Sequence, residues 1–275
     1  MPSDHTDDLR LAHVIADQVD ALTMARFKAM DFTVETKPDL SPVTDADRDA
    51  EELVRALLGR HRSRDAVLGE EGGTTGHSSR RWIIDPIDGT KNFVRGVPVW
   101  ATLIALVEGD EVVVGLVSAP ALTRRWWAAT GAGAWTGRNL SQGRRLEVSK
   151  VTSLEDASLS YSSLGGWGER GQFEQFLRLM MSCWRTRAYG DFWSYMLLAE
   201  GAVDIAAEPE LNLWDIAALV PIVTEAGGTF TGVNGGSPLT ELNAVATNGH
   251  LHERVLDALR TDDATSAERE RDAYL

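Results

Sequence analysis

Three apolar runs follow one another closely at residues 99–107, 111–118 and 124–129, and Gly109-Asp110 separates the first two. Apolar segments of strand length joined by a tight glycine-containing turn predict antiparallel pairing, because that arrangement closes a hairpin within two residues. Shorter strands are expected at residues 66–68 and 82–84, with a glycine- and serine-rich loop at 72–80 between them. Ahead of these, Leu11, Val14, Ile15, Val19 and Leu22 recur at helical spacing, and a second helix is expected over residues 47–58.

The pattern changes after residue 150. Strands are expected at 158–161, 186–189, 203–207, 228–231 and 244–247, and helices at 173–184, 191–200, 214–226 and 250–259. Strand alternating with helix argues for an α/β second half behind an α+β first half. The division expected is an α+β metal-binding unit at 1–150 and an α/β unit at 151–260 that completes the site. Residues 261–275 are polar and read as a flexible tail.

Of the 275 residues, 43% are hydrophobic and 25% charged, which is ordinary globular composition. The acidic N-terminus lacks the basic and apolar regions of a secretory signal, and no apolar run approaches the ~20 residues that span a bilayer. Cys183 is the single cysteine, so an intrachain disulfide and a cysteine-based zinc cluster are both excluded, and its apolar helical setting predicts a buried structural thiol. These features predict a cytoplasmic protein without a membrane partner. The net charge of −14, from 41 acidic and 27 basic residues, disfavours nucleic acid, whose backbone demands a basic surface. It would disfavour phosphorylated substrates as well, unless bound divalent cations invert the local charge.

Acids fall where strands stop or helices start: Asp45 and Asp47, Glu70 and Glu71, Asp85 and Asp88, and Asp215. Residues 82–93 read W-I-I-D-P-I-D-G-T-K-N-F, placing two carboxylates and the Ile87 carbonyl around a proline-stiffened turn. Mg²⁺ takes oxygen ligands and keeps some water, so a few carboxylates from separate elements suit it. Gly89 permits close backbone approach, and Thr90 adds a hydroxyl beside N–H groups that suit a phosphate. Simpler accounts exist for each residue alone. Asp-Pro and Asp-Gly are ordinary turn pairs, Asp47 could be a helix N-cap, Glu70 and Glu71 a solvated loop, and Asp215 a helix-dipole partner. None of the six histidines falls in a motif.

Taken together, G-E-E at 69–71, the stretch at 82–93, W-D-I-A-A at 214–218, P-V-T-D-A-D at 42–47 and E-A-G-G at 225–228 resemble the signature motifs of the inositol monophosphatase superfamily. The resemblance runs from the first helix to about residue 260. It implies a layered αβαβα sandwich and Mg²⁺-dependent hydrolysis of phosphate monoesters, with two or three ions per active site. By matching motif positions, Glu70, Asp85 and the Ile87 carbonyl would hold one ion. Asp85, Asp88 and Asp215 would hold a second, and Asp47 would position a water, pair with Thr90 or serve a weaker third ion. Glu70, Asp47 and Thr90 would orient the attacking water while Asp88, Gly89 and Thr90 face the phosphoryl group, and no phosphoenzyme is needed. A homodimer is implied as well.

The residues around the organic end of the substrate should set specificity. In R-T-R-A-Y-G-D-F-W at 185–193, Gly190 is followed by a carboxylate where inositol-phosphate hydrolases usually carry a small neutral or hydroxyl residue. Glu208 matches a position that touches the organic group. Two acids suggest a cationic leaving group, and the stretch is similar to the branch of the family that hydrolyses L-histidinol phosphate. Arg187 would order this wall or reach the substrate, and Trp100 would lend it an apolar side. Asp191 could otherwise be only the N-cap of the following helix. The alternatives are an inositol-1-monophosphatase, a broad small-molecule phosphatase, or an inactive metal-binding scaffold. Of Trp126 and Trp127, one ring is expected in the core and the other at a subunit surface.

Overall fold

The structure, a computed structural model, describes residues 5–37 and 42–260. Helix α1 (Thr6–Ala29) leads through the antiparallel pair β1 (Val34–Thr36) and β2 (Pro42–Thr44) into α2 (Asp45–His61). The chain then builds an eight-stranded sheet from β3 (Ala66–Gly69), β4 (Gly73–Thr75), β5 (Arg80–Asp88), β6 (Ala101–Glu108), β7 (Glu111–Ala119), β8 (Arg124–Ala129), β9 (Gly133–Gly137) and β10 (Arg144–Arg145), with the short helix α3 (Thr90–Val94) between β5 and β6. The spatial order is β10-β9-β8-β7-β6-β5-β3-β4. Neighbours are antiparallel except β3 and β5, which run parallel.

The second half supplies β11 (Ser158–Ser160), α4 (Gly165–Glu169), α5 (Phe173–Ser182), β12 (Arg185–Arg187), α6 (Asp191–Ala199), β13 (Ile205–Glu208), α7 (Leu213–Ala217), α8 (Leu219–Glu225), β14 (Thr229–Thr231), α9 (Pro238–Glu241), β15 (Ala244–Thr247) and α10 (His252–Leu259). Its five strands lie in the order β12-β11-β13-β15-β14. Strand β11 is parallel to both neighbours, whereas β15 pairs antiparallel with β13 and β14, so this sheet is mixed.

Side-chain alternation along the strands explains the layering. On one face of the large sheet Trp82, Ile84, Ile104, Leu106, Leu116 and Trp127 pack under α1 and α2. On the other, Ile83, Leu103, Ala105, Val117 and Trp126 meet α6 and α8, which also contact Ala206 and Ala246 of the small sheet. The far face of the small sheet, through Leu159, Ile205 and Val245, packs on α5 and α10. Helices, sheet, helices, sheet, helices: the αβαβα sandwich is present. At Gly115 the sheet and α8 are in backbone contact, and a Cβ there would lie 2.3 Å from the Ala218 carbonyl oxygen.

Several expectations need correction. The helix expected over 214–226 is two helices broken at Ala218, and Pro221, which lacks an N–H, sits in the first turn of the second. The 72–80 loop contains β4, and β9 and β10 extend the large sheet beyond the three apolar runs. Trp126 and Trp127 are both buried, because helices cover both faces of the strand that carries them. Cys183 ends α5 half-buried, and burial pushes its thiol up to about 11. No helix among the described residues is long and apolar enough to cross a membrane. The expected tail at 261–275 lies outside the described residues.

Candidate active site

Strand β5 runs through both aspartates rather than ending before them. Residues three apart on a regular strand point to opposite faces. Here Asp85 pairs with Leu103 and Asp88 with Ala101, so three steps on β5 match two on β6. That bulge turns both carboxylates toward one side. The chain then reverses at Gly89, whose φ of 83° is left-handed, and α3 starts at Thr90.

Asp215 joins the pair from the first turn of α7, where its Oδ2 accepts the Asn212 N–H at 2.7 Å. Asp85, Asp88 and Asp215 each present an oxygen within 4.8 Å of the other two. Asp88 Oδ2 accepts the Phe192 N–H at 2.9 Å, whereas the buried Oδ1 of Asp85 has no partner. Burial, reinforced by the neighbouring carboxylates, holds Asp85 and Asp88 well above the usual carboxylate range and pushes Asp215 up to about 7. Such crowding of like charge away from water is costly unless a cation enters. Hard oxygen donors from separate elements, one of them buried and unpartnered, fit a divalent cation of the Mg²⁺ kind.

Three further acids border the cluster. Glu70 and Glu71 both accept from the Lys37 ammonium, whose Nζ is 2.6 Å from Glu71 Oε1. Asp47 is buried in the first turn of α2, three residues after the true N-cap, Thr44. Its Oδ2 accepts the Thr44 N–H at 2.8 Å, and its Oδ1 faces the Thr90 hydroxyl at 3.2 Å. Thr90 also stands 2.9 Å from the Ile87 carbonyl oxygen. Burial pushes the Asp47 carboxyl up to about 6.

A cavity of about 610 Å³ opens over these groups, lined by Glu70, Asp85, Ile87, Asp88, Gly89, Thr90 and Asp215 together with Asp191 and Glu208. Asp191 is not an N-cap: Gly190 occupies that position, and Asp191 opens α6 with φ 49°. Its Oδ2 receives Asn92 Nδ2 at 3.3 Å, and burial raises its carboxyl above the usual range. Glu208 ends β13 almost fully buried, and burial pushes it up to about 8.

Arg187 is not brought to this cavity. It is exposed at the end of the edge strand β12, donates to the Thr186 carbonyl, and borders a separate surface cleft with Met181 and Trp184. Trp100 is likewise absent from the wall; it is buried against Phe93 and Phe27. Asn92, Ser162 and Tyr195 also line the cavity, and Lys37 borders it through Glu70. Asn92 lies inside the 82–93 motif and could have been found there. Ser162 and Tyr195 carry no local signal.

Residues 7–264 match the model of the inositol monophosphatase family. The chain belongs to that family. It is 62% identical over 260 residues to a histidinol-phosphatase of Streptomyces coelicolor, covering 93% of this chain and 98% of that protein. A histidinol-phosphatase of Mycobacterium tuberculosis is 58% identical over 254 residues, covering 92% and 98%. Among solved structures, an inositol monophosphatase of Thermotoga maritima superposes with a TM-score of 0.83 at 32% identity, covering 92% of this chain and 97% of that one. In this member of the inositol monophosphatase family, the motif residues Glu70, Asp85, Asp88, Gly89, Thr90 and Asp215 line one cavity.

Proposed function

We propose that the chain is a Mg²⁺-dependent phosphatase that converts L-histidinol phosphate and water into L-histidinol and phosphate. The observation that carries the substrate is the pair of acids, Asp191 and Glu208, that line the cavity beside the aspartate cluster and are not among the proposed ion ligands. A phosphate held at the cluster brings its alcohol within reach of these acids, and the ammonium and imidazole of histidinol are cationic partners for them. Opposite charges attract more strongly where water is partly excluded. The histidinol-phosphatases among the relatives support the same reading.

Glu70, Asp85 and the Ile87 carbonyl would hold one ion, and Asp85, Asp88 and Asp215 a second. When bound, such ions acidify a water and neutralise the phosphoryl oxygens of an in-line displacement. The protein positions the rest. Thr90, whose hydroxyl can donate to Asp47, leaves its oxygen free to accept from the attacking water, and Glu70 borders the same space. The N–H groups at Gly89 and Thr90 suit the phosphoryl oxygens. Water oxygen bonds to phosphorus as the ester P–O bond breaks, the proton the water gives up balances the one the departing alkoxide takes, and no residue is phosphorylated. A cytoplasmic homodimer completes the reading. The exposed apolar side chains of Met181 and Trp184 beside the edge strand β12 offer a surface for a second copy.

Phosphate release with Mg²⁺ should be compared for L-histidinol phosphate, inositol 1-phosphate and fructose 1,6-bisphosphate. A kcat/KM for histidinol phosphate at least about tenfold above the others is the expected outcome, equivalent to one well-placed charge contact. Faster turnover of inositol 1-phosphate would overturn the substrate assignment while leaving phosphatase chemistry intact.

A further inference from the structure

The two acids beside the aspartate cluster, Asp191 and Glu208, come from different elements, yet one hydroxyl joins them. Ser162, two residues past the end of β11, donates from Oγ to Glu208 Oε1 at 2.5 Å and accepts the Asp191 N–H at 2.7 Å. Ser162 lines the same cavity as both acids.

We infer that Ser162 is a positioning residue whose hydroxyl sets the spacing of the Asp191 and Glu208 carboxylates and thereby the preference for a cationic alcohol. A hydroxyl has one proton and two lone pairs. Here the proton is committed to Glu208 and a lone pair to Asp191, so neither bond can shift without the other. Accepting from an N–H polarises the hydroxyl and strengthens its donation to the carboxylate. The Asp191 end needs such an anchor. Its left-handed backbone is unfavourable for a residue with a Cβ, and the adjoining Gly190, at φ 81°, has little intrinsic preference for this course. Without the Ser162 acceptor, the Gly190–Asp191 turn is free to relax, and the Asp191 carboxylate moves relative to Glu208. Asn92 would remain, but its 3.3 Å contact reaches the carboxylate and not the backbone.

The inference rests on the histidinol phosphate reading, and its test separates the two. The measured quantity is the ratio of kcat/KM for L-histidinol phosphate to that for inositol 1-phosphate, with Mg²⁺, in wild type, Ser162→Ala, Ser162→Thr and the Ser162→Ala/Glu208→Gln pair. Ser162→Ala should lower the ratio about tenfold, through KM for histidinol phosphate more than through kcat. Threonine, which keeps the hydroxyl, should restore most of it. In the Glu208→Gln background the alanine change should lower the ratio by less than it does alone, because the part of its effect that passes through Glu208 is already lost. A high wild-type ratio that survives Ser162→Ala overturns this inference alone, as does a fall in melting temperature with the ratio intact. A wild-type ratio near one sinks the substrate reading and this inference with it.

Discussion

The Thr90 hydroxyl lies 3.2 Å from Oδ1 of Asp47, joining the first turn of α3 to the first turn of α2 across 43 positions of sequence. The other carboxylate oxygen of Asp47 is held by Thr44, so the acid cannot rotate to choose its partner. Asp47→Asn should therefore lower kcat by about 10²-fold or more, the scale of a lost acid–base or orienting group. Thr90→Ala should do the same, and the double variant should lose little more than either single one. Steady-state phosphate release decides it. Losses that multiply would mean the two residues act separately.

Charge crowding at Asp85, Asp88 and Asp215 makes a prediction about stability as well as activity. In excess chelator at alkaline pH, where the ionised forms are forced together, Asp85→Asn should melt higher than wild type. A gain of 1 kcal/mol corresponds to a shift of about 2–4 °C in chains of this size class. The same variant should lose phosphatase activity and the rise in melting temperature that Mg²⁺ confers on wild type. A lower melting temperature without metal would show that Asp85 stabilises the empty fold.

How far these residues were legible in sequence depended on what fixes each one. Asp85 and Asp88 stand in one local stretch beside an apolar run, so their chemistry was readable. The bulge that turns them to one side was not, because it is set by pairing with β6. Arg187 illustrates the opposite failure. Its nearness to Asp191 in sequence suggested nearness in space, but the chain turns at Gly190 and leaves Arg187 on an outward edge. Trp126 and Trp127 alternate along β8 as strand residues must. Their shared burial follows from helices on both faces of the sheet, which no single strand reveals. The Asp191–Ser162–Glu208 link joins three distant segments and has no trace in any one of them.

The raised acids set the pH dependence of the metal-free protein. Glu208 stands at about 8 against 4.5, Asp215 at about 7 and Asp47 at about 6 against 3.8, each through burial. Between the unfolded and folded values the native state binds more protons than the unfolded chain, so stability falls as pH rises. With chelator, the melting temperature should decline from about pH 4.5 to 8. Saturating Mg²⁺ should flatten that decline, since it favours the ionised cluster. A melting temperature that climbs over this window without metal would refute the burial argument.

Asp191 separates a specificity role from a folding role. Among the described residues its carboxylate hydrogen-bonds Asn92 alone, and it does not cap α6. Asp191→Asn retains the size and can keep a contact with Asn92 while removing the charge. KM for L-histidinol phosphate should rise about tenfold or more, the equivalent of about 1.4 kcal/mol, with a much smaller change for inositol 1-phosphate. The melting temperature in chelator should hold or increase, because Asp191 raises the neighbouring Asp88 by like-charge repulsion. Equal losses on both substrates would place Asp191 in the phosphate machinery, and a steep drop in melting temperature would make it a structural residue of the α6 turn.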